Sequence, residues 1–324
     1  MTTDTETARV TSGRDRNATA LDMVAGIDLS GRNAIVTGGA SGIGVETVRA
    51  LAYAGADVTI AARNEAAARE VTEQINDEIG AERVSWDSLE LGDLASVRAF
   101  AARWGGRPLS ILVNNAGVMA CPLGRTKDGF ETQFGTNHLG HFLLATLLVP
   151  ALEKGAPSRL VSLSSTGHMY SPIDFDDPNY HSRAYHPFKA YGQAKTANSL
   201  FAVEFDRRYR DKGIRAFAVM PGVINTNLGR HMTPELREEL GIQPGSKTGL
   251  EAMYKSSAQG ASTSVWAAAS PDLDGQGGLY LEDNAQAVPW SKDLPRGVGV
   301  MPHALDPDAA RRLWDLSEAL TGSR

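Results

Sequence analysis

At 324 residues, 42% hydrophobic and 22% charged, the chain has a globular composition and enough length for one large core or two smaller ones. A net charge of −6 gives no basic surface for nucleic-acid phosphates, and the most apolar stretch, 141–152, is too short to span a bilayer and is broken by Pro150. The lone cysteine, Cys121, excludes an intrachain disulfide and a thiolate zinc cage, fits a reducing cytoplasm, and reads as a small buried hydrophobe.

In chain order, residues 1–25 mix both charges with Thr and Ser and are expected to be a flexible leader, leaving 26–324 as a single domain. From Asn33 onward, runs of β-branched and apolar residues predict strands at 33–37, 57–62, 83–91, 110–114, 159–164, 214–220 and 277–282. Helical periodicity fills the gaps at 42–54, 64–79, 94–104, 129–152 and 189–212. That alternation, with right-handed crossovers, predicts an α/β fold: a doubly wound parallel sheet with helices on both faces. Segments 167–187 and 225–260 break the rhythm and are expected to cover the carboxyl edge of the sheet, where open α/β sheets bind ligands. The tail, 283–324, is rich in Pro and Gly before an amphipathic helix, DPDAARRLWDLSEAL.

Directly after the first strand stands TGGASGIG, residues 37–44, which puts Gly38, Gly42 and Gly44 at a strand-to-helix turn around Ser41 and Ile43. Such a turn lets backbone approach a pyrophosphate and aims helix N-terminal N–H groups at it, although a glycine triplet alone also serves as a packing turn. Tyr191 and Lys195, four apart, share one face of a helix. An ammonium there favours the phenolate and draws a phenol from ~10 toward the working range, yet the same spacing is common on solvated faces.

TGGASGIG, Asn114-Asn115-Ala116-Gly117, Asn137, Ser165 and Tyr191-x-x-x-Lys195, in this order, resemble the motifs of the short-chain dehydrogenase/reductase family across roughly residues 30–285. NHLGHF (137–142), SSTGH (164–168) and RRLWDLSEALTG (311–322) are most similar to its retinol-dehydrogenase-like and WW-domain-oxidoreductase-like branch. The resemblance implies a Rossmann-like domain that interconverts a carbonyl and an alcohol with NAD(P). By the same resemblance Tyr191 is the acid/base, Ser165 steadies the substrate oxygen, and Lys195 tunes Tyr191 and holds the nicotinamide ribose. The backbone carbonyl of Asn137 would hold a water near the lysine. Gly38, Ser41, Gly42, Ile43, Gly44, Asn114, Ala116 and Gly117 would bind the cofactor, with Pro221, Gly222, Val223 and Thr226 at the carboxamide. A homodimer through helices 129–152 and 189–212 is implied as well.

Departures from the family pattern refine this. The second strand ends in Ala62-Arg63 where NAD-preferring members carry a carboxylate. A guanidinium there can pair with a 2′-phosphate, so NADP is expected over NAD, the alternative being a solvated helix-entry arginine. Near the adenine, Glu90-Leu91 replaces an Asp-hydrophobic pair, and Asp93 is placed to cap the next helix. His138 and His141 lack a third ligand, so no metal is expected.

The 26 residues from Ser165 to Tyr191 are about twice the family's usual separation. This insertion and its edge carry His168, Met169, Tyr170, Phe175, Tyr180, Tyr185 and Phe188. These either line an apolar pocket for a hydrophobic alcohol, aldehyde or ketone, or pack the insertion onto the domain. Two other classes compete. An NAD(P)-sensing module without turnover would not need Ser165, Tyr191 and Lys195 together, and a sugar-nucleotide epimerase or dehydratase usually carries a different glycine spacing and a larger carboxyl-terminal domain.

Overall fold

The structure, a computed structural model, describes residues 9–241 and 253–323; the first eight residues of the expected leader and 242–252 of the expected covering segment lie outside the described residues. Seven parallel strands, β1 (Asn33–Thr37), β2 (Asp57–Ala62), β3 (Val84–Ser88), β4 (Ile111–Asn114), β5 (Ser158–Leu163), β6 (Ile214–Met220) and β9 (Leu279–Glu282), form the main sheet. An antiparallel edge strand, β10 (Ala285–Gln286), completes the order β10-β9-β6-β5-β4-β1-β2-β3. A separate small pair joins β7 (Val223–Ile224) to β8 (Tyr254–Lys255). From β1 the chain winds outward through β2 and β3, then resumes on the other side at β4. That reversal opens a crevice beyond the carboxyl ends of β1 and β4.

Side-chain alternation distributes the core. Ala34, Val36 and Val113 face one layer, while Ile35 and Leu112 face the other. The first layer holds α1 (Ala20–Met23), α2 (Ile43–Tyr53), α3 (Glu65–Ile79) and α9 (Ser257–Ala269). The second holds α4 (Leu94–Trp104), α6 (Gly140–Lys154) and α7 (Pro187–Tyr209). Two short helices, α5 (Thr132–Phe134) and α8 (Pro234–Glu239), sit near the crevice end, and α5 runs into α6 through a π-helical turn, Gly135–Leu139. Asn64 and Asp93 cap α3 and α4 by accepting from first-turn N–H groups.

Three expectations need correction. Residues 9–25 are docked: Thr19 and Asp22 form a capping box on α1, Ala20, Met23 and Val24 are buried, and Thr11 bridges to Ala285. The segment is too short to show periodicity, and its apolar residues find a place only against α9 and α2. Helix α9 was not expected; SAQGASTSVWAAA is small and nearly all buried, so it lacks the polar stripe that marks a surface helix. Finally, the third strand ends at Ser88, which leaves Glu90 and Leu91 in the following turn.

The last helix, α10 (Pro307–Thr321), settles into the groove between α6 and α7. Trp314 is buried there against Phe142 (ring centres 4.9 Å, edge to face) and Phe201 (6.1 Å, stacked), under the Arg208 guanidinium at 4.4 Å. The homodimer expectation used these two helices; the apolar face they share is covered by the chain itself. Replacing Trp314 by Ala is expected to cost about 3–5 kcal/mol of unfolding free energy, read by chemical denaturation.

At the end of β9, Glu282 is buried. One of its carboxyl oxygens accepts from Gly299 N at 2.9 Å; the other has no partner among the described residues. Burial, opposed by the Gly299 bond, pushes this carboxyl from near 4.5 up to about 7. The folded chain therefore keeps a proton that the unfolded chain releases, a stabilisation full below pH 4.5 and lost as pH rises through 7. Unfolding free energy should fall over that window, and Glu282→Gln should flatten the fall in urea titrations taken at several pH values.

Candidate active site

The loop after β1 reaches α2 through Gly42, whose φ is +58° and which offers no side chain to the first-turn N–H groups. These donors stay available to an anion. A Cβ on Gly44 would stand 2.4 Å from the Gly38 carbonyl oxygen, and one on Gly42 would stand 3.4 Å from Thr226 Cγ2. Hence the loop is glycine-shaped for close packing, and Thr226 faces it across the crevice. Ser41 is exposed at the tip and Ile43 is half-buried.

Thr37, the last residue of β1, is buried. Its hydroxyl accepts from Asn115 N (2.9 Å) and Ala116 N (3.0 Å), so the glycine loop and the 114–117 turn share one anchor. The same oxygen lies 2.8 Å from His141 Nε2, and His141 Nδ1 lies 2.9 Å from the Asn137 carbonyl oxygen. A carbonyl only accepts, so Nδ1 carries the ring proton and Nε2 accepts from Thr37. Burial holds His141 down to about 4, hence neutral. Asn137, in the π-helical turn, clamps Val118 with its amide, accepting at 2.8 Å and donating at 2.9 Å. Its carbonyl, expected to hold a water, accepts from His141.

Ser164 and Ser165 are separated by their bonds. Ser164 is buried and donates to the Lys195 carbonyl at 3.0 Å, whereas Ser165 is half-buried and accepts from Gly167 N at 3.0 Å. Of the two, Ser165 has the side chain turned to the site. Tyr191 and Lys195 lie on one face of α7, with Nζ 5.6 Å from the phenol ring centre and donating to the Leu163 carbonyl at 2.9 Å. The expected downward pull on the phenol does not dominate. Burial pushes Tyr191 up to about 12 against the Ser165 hydroxyl, and burial brings Lys195 down to about 8. Desolvation sets the direction of both shifts.

Gly117 sits beside this pair: a Cβ there would be 3.2 Å from Asn137 Oδ1 and 3.7 Å from Lys195 Nζ. Asn114 is buried with both amide atoms unpartnered among the described residues. At the rim, Arg63 pairs with Glu90 at 3.2 Å, and Glu90 also accepts from Gly92 N. Leu91 is buried in the core, so Glu90 alone of that pair presents a side chain at the rim. Pro221 and Gly222 turn the chain out of β6 into β7; Gly222 has φ +103°, and a Cβ there would be 2.9 Å from Lys255 Cδ. His138 bonds Ser317 at 2.8 Å and packs between aromatic rings, a structural role.

Of the insertion, Met169, Tyr170 and Phe188 line a cleft of about 510 Å³. His168 turns inward, Tyr185 bonds Gln133 and the Cys121 carbonyl, and Tyr180 is buried. Part of the insertion therefore lines a cleft and part packs onto the domain. The opposite wall went unforeseen: Trp290, Leu294, Pro295 and Met301 come from the tail. Trp290, an exposed aromatic in a Pro/Gly-rich stretch, is the one signal that pointed there.

Residues 32–237 match the family model described as short chain dehydrogenase, and the chain belongs to this family of NAD(P)-using oxidoreductases. It is 48% identical over 292 residues to a protein named probable oxidoreductase of Streptomyces lividans, covering 89% of this chain and 97% of that one. With human retinol dehydrogenase 14 it shares 36% over 309 residues, covering 91% and 87%. A crystal structure of an uncharacterised protein from Mycobacterium paratuberculosis, 34% identical, superposes with a TM-score of 0.71 over 92% of this chain and 97% of that one.

A glycine that sequence reasoning passed over shapes the site. A Cβ on Gly167 would stand 2.8 Å from Cδ1 and Cε1 of Tyr191. Gly167→Ala should displace the phenol and lower kcat on the order of 10²-fold, with cofactor Kd, read by fluorescence titration, held within about twofold.

Proposed function

We propose that this protein interconverts a hydrophobic alcohol with its aldehyde or ketone, using NADP in preference to NAD and Tyr191 as the acid/base. The observation that carries this is the meeting of the Ser165 hydroxyl, Tyr191 and Lys195 beside Gly117, in the turn that shares the Thr37 anchor with the glycine loop. A nicotinamide nucleotide fits the residues present: the uncapped N-terminus of α2, the glycine-shaped loop and the orphaned Asn114 amide are all suited to it. Gly38, Ser41, Gly42, Ile43 and Gly44 would hold the pyrophosphate. Arg63 and Glu90 would hold the adenosine end, Asn114, Ala116, Gly117 and Lys195 the middle, and Pro221, Gly222, Val223 and Thr226 the nicotinamide. When bound, that group supplies or accepts the hydride.

Tyr191 moves the proton at the substrate oxygen. With its phenol near 12, Tyr191 is protonated at neutral pH and stands ready as the donor that carbonyl reduction requires. Ser165 donates to the same oxygen as negative charge develops there. Lys195, near 8, remains mostly an ammonium at pH 7, and among the described residues it donates only to Leu163, so two donors are left for hydroxyl groups. The cleft is largely apolar, walled by Met169, Phe188, Trp290, Leu294 and Met301 with Lys292 and Arg296 also lining it, and the relative named retinol dehydrogenase 14 supports an alcohol of that character. Among the described residues no helix is long and apolar enough to cross a membrane; the free, buried Cys121 is what supports a place in the reducing cytoplasm.

The test is a panel of apolar aldehydes, ketones and alcohols assayed with NADPH and NADH. Tyr191→Phe should lower kcat at least 10³-fold, since it removes the proton donor; full activity in that variant would refute the mechanism. Arg63→Ala should cost roughly tenfold in kcat/KM with NADPH and little with NADH. A wild-type preference for NADH would overturn the cofactor assignment.

A further inference from the structure

We propose that His168 is a positioning residue that ties the backbone of Ser165 to the tail segment 290–301, so that the oxygen-binding hydroxyl and the far wall of the cleft are held as one unit. The catalytic part of this inference rests on the function proposed above; the mechanical part does not.

His168 lies in the 3-10 turn that follows Ser165 and is completely buried. Its Nε2 is 3.1 Å from Met301 N. A backbone amide can only donate, so Nε2 is bare and Nδ1 carries the proton. Nδ1 in turn is 2.7 Å from the Ser165 carbonyl oxygen, which can only accept. Both bonds thus require one tautomer, and the ring joins two segments 133 residues apart in the chain. Burial holds the imidazole down to about 4, so both bonds persist at neutral pH.

Three further contacts reinforce the tie. His303 Nε2 donates to the His168 carbonyl at 2.9 Å, so the tail holds this residue by its backbone as well as by its ring. The Tyr280 hydroxyl lies 3.1 Å from Nδ1 and 3.3 Å from the Ser165 carbonyl oxygen, with the rings 5.0 Å apart. Gly299 N donates to Glu282, fixing the segment just before Met301 to the sheet. Met301 itself lines the cleft, opposite Met169 and Tyr170 from the turn that carries His168. Leucine would fill the same volume without a buried polar ring; what the imidazole adds is a donor on one side and an acceptor on the other.

Three variants test this. His168→Leu removes both bonds, and His168→Gln keeps an amide donor and a carbonyl acceptor. Met301→Pro removes the N–H that Nε2 receives, together with the Met301 side chain, at a φ of −69° that proline adopts. Backbone hydrogen exchange is read first, with no need for turnover. His168→Leu and Met301→Pro should speed exchange across 290–301 at least tenfold and leave β1 and β4 unchanged, while His168→Gln stays near wild type. In kinetics, His168→Leu should lower kcat about tenfold for every substrate and raise KM only for bulky ones. Unchanged exchange in 290–301, acceleration spread over the whole sheet, or equal damage from Gln and Leu would each overturn the proposal. If the wild-type protein turned over no carbonyl compound, the proposed function would fall, and the exchange data would still decide whether His168 fastens the tail.

Discussion

One buried hydroxyl, that of Thr37, joins the parts on which the site depends. It has one proton and two lone pairs, and each is used: two backbone N–H groups of the 114–117 turn donate to it, and it donates to His141. The Val113 carbonyl oxygen, at 3.4 Å, is too distant to compete for the proton. The glycine loop, the 114–117 turn and, through His141, the π-helical turn that carries Asn137 therefore converge on one atom. In a buried setting such a node is all or nothing, because losing it strands three partners away from water.

Desolvation, more than charge pairing, governs Tyr191 and Lys195. Tyr191 and Lys195 are each biased toward the uncharged form, the phenol upward and the amine downward. Burial thus weakens the charge at this site without abolishing it, since Lys195, near 8, keeps most of its proton at pH 7. Small geometric features also matter: the 3-10 turn packs against α7 because Gly167 and Gly192 leave room for it, a Cβ on Gly192 meeting the Gly167 carbonyl at 2.6 Å.

Much of the fold was legible because its signals are local. The strands Asn33–Thr37, Asp57–Ala62 and Ile214–Met220 are short apolar runs between turn residues, and their sequence limits match the structure. Asp93 caps α4 as its position implied. The site motifs stood out by spacing and order, and Ser165 was distinguished from Ser164 only by resemblance until their hydrogen bonds separated them. What stayed hidden depends on distant partners. Helix α1 is recognisable only once α9 is there to cover it, and the tail wall of the cleft takes its meaning from Met169 and Phe188 across the gap. The upward shift of Tyr191 follows from burial, which no four-residue spacing reveals.

The docking of α10 bears on the order in which the molecule assembles. During synthesis, α6 and α7 emerge early, yet the helix that covers their common face follows α6 by roughly 150 residues. Until it arrives, Phe142, Phe201 and Phe205 present an aromatic strip to water, open to any apolar surface nearby. The strip stays open while the roughly 100 residues between α7 and α10 are made, and its closing step is a long-range contact, the kind that slows folding.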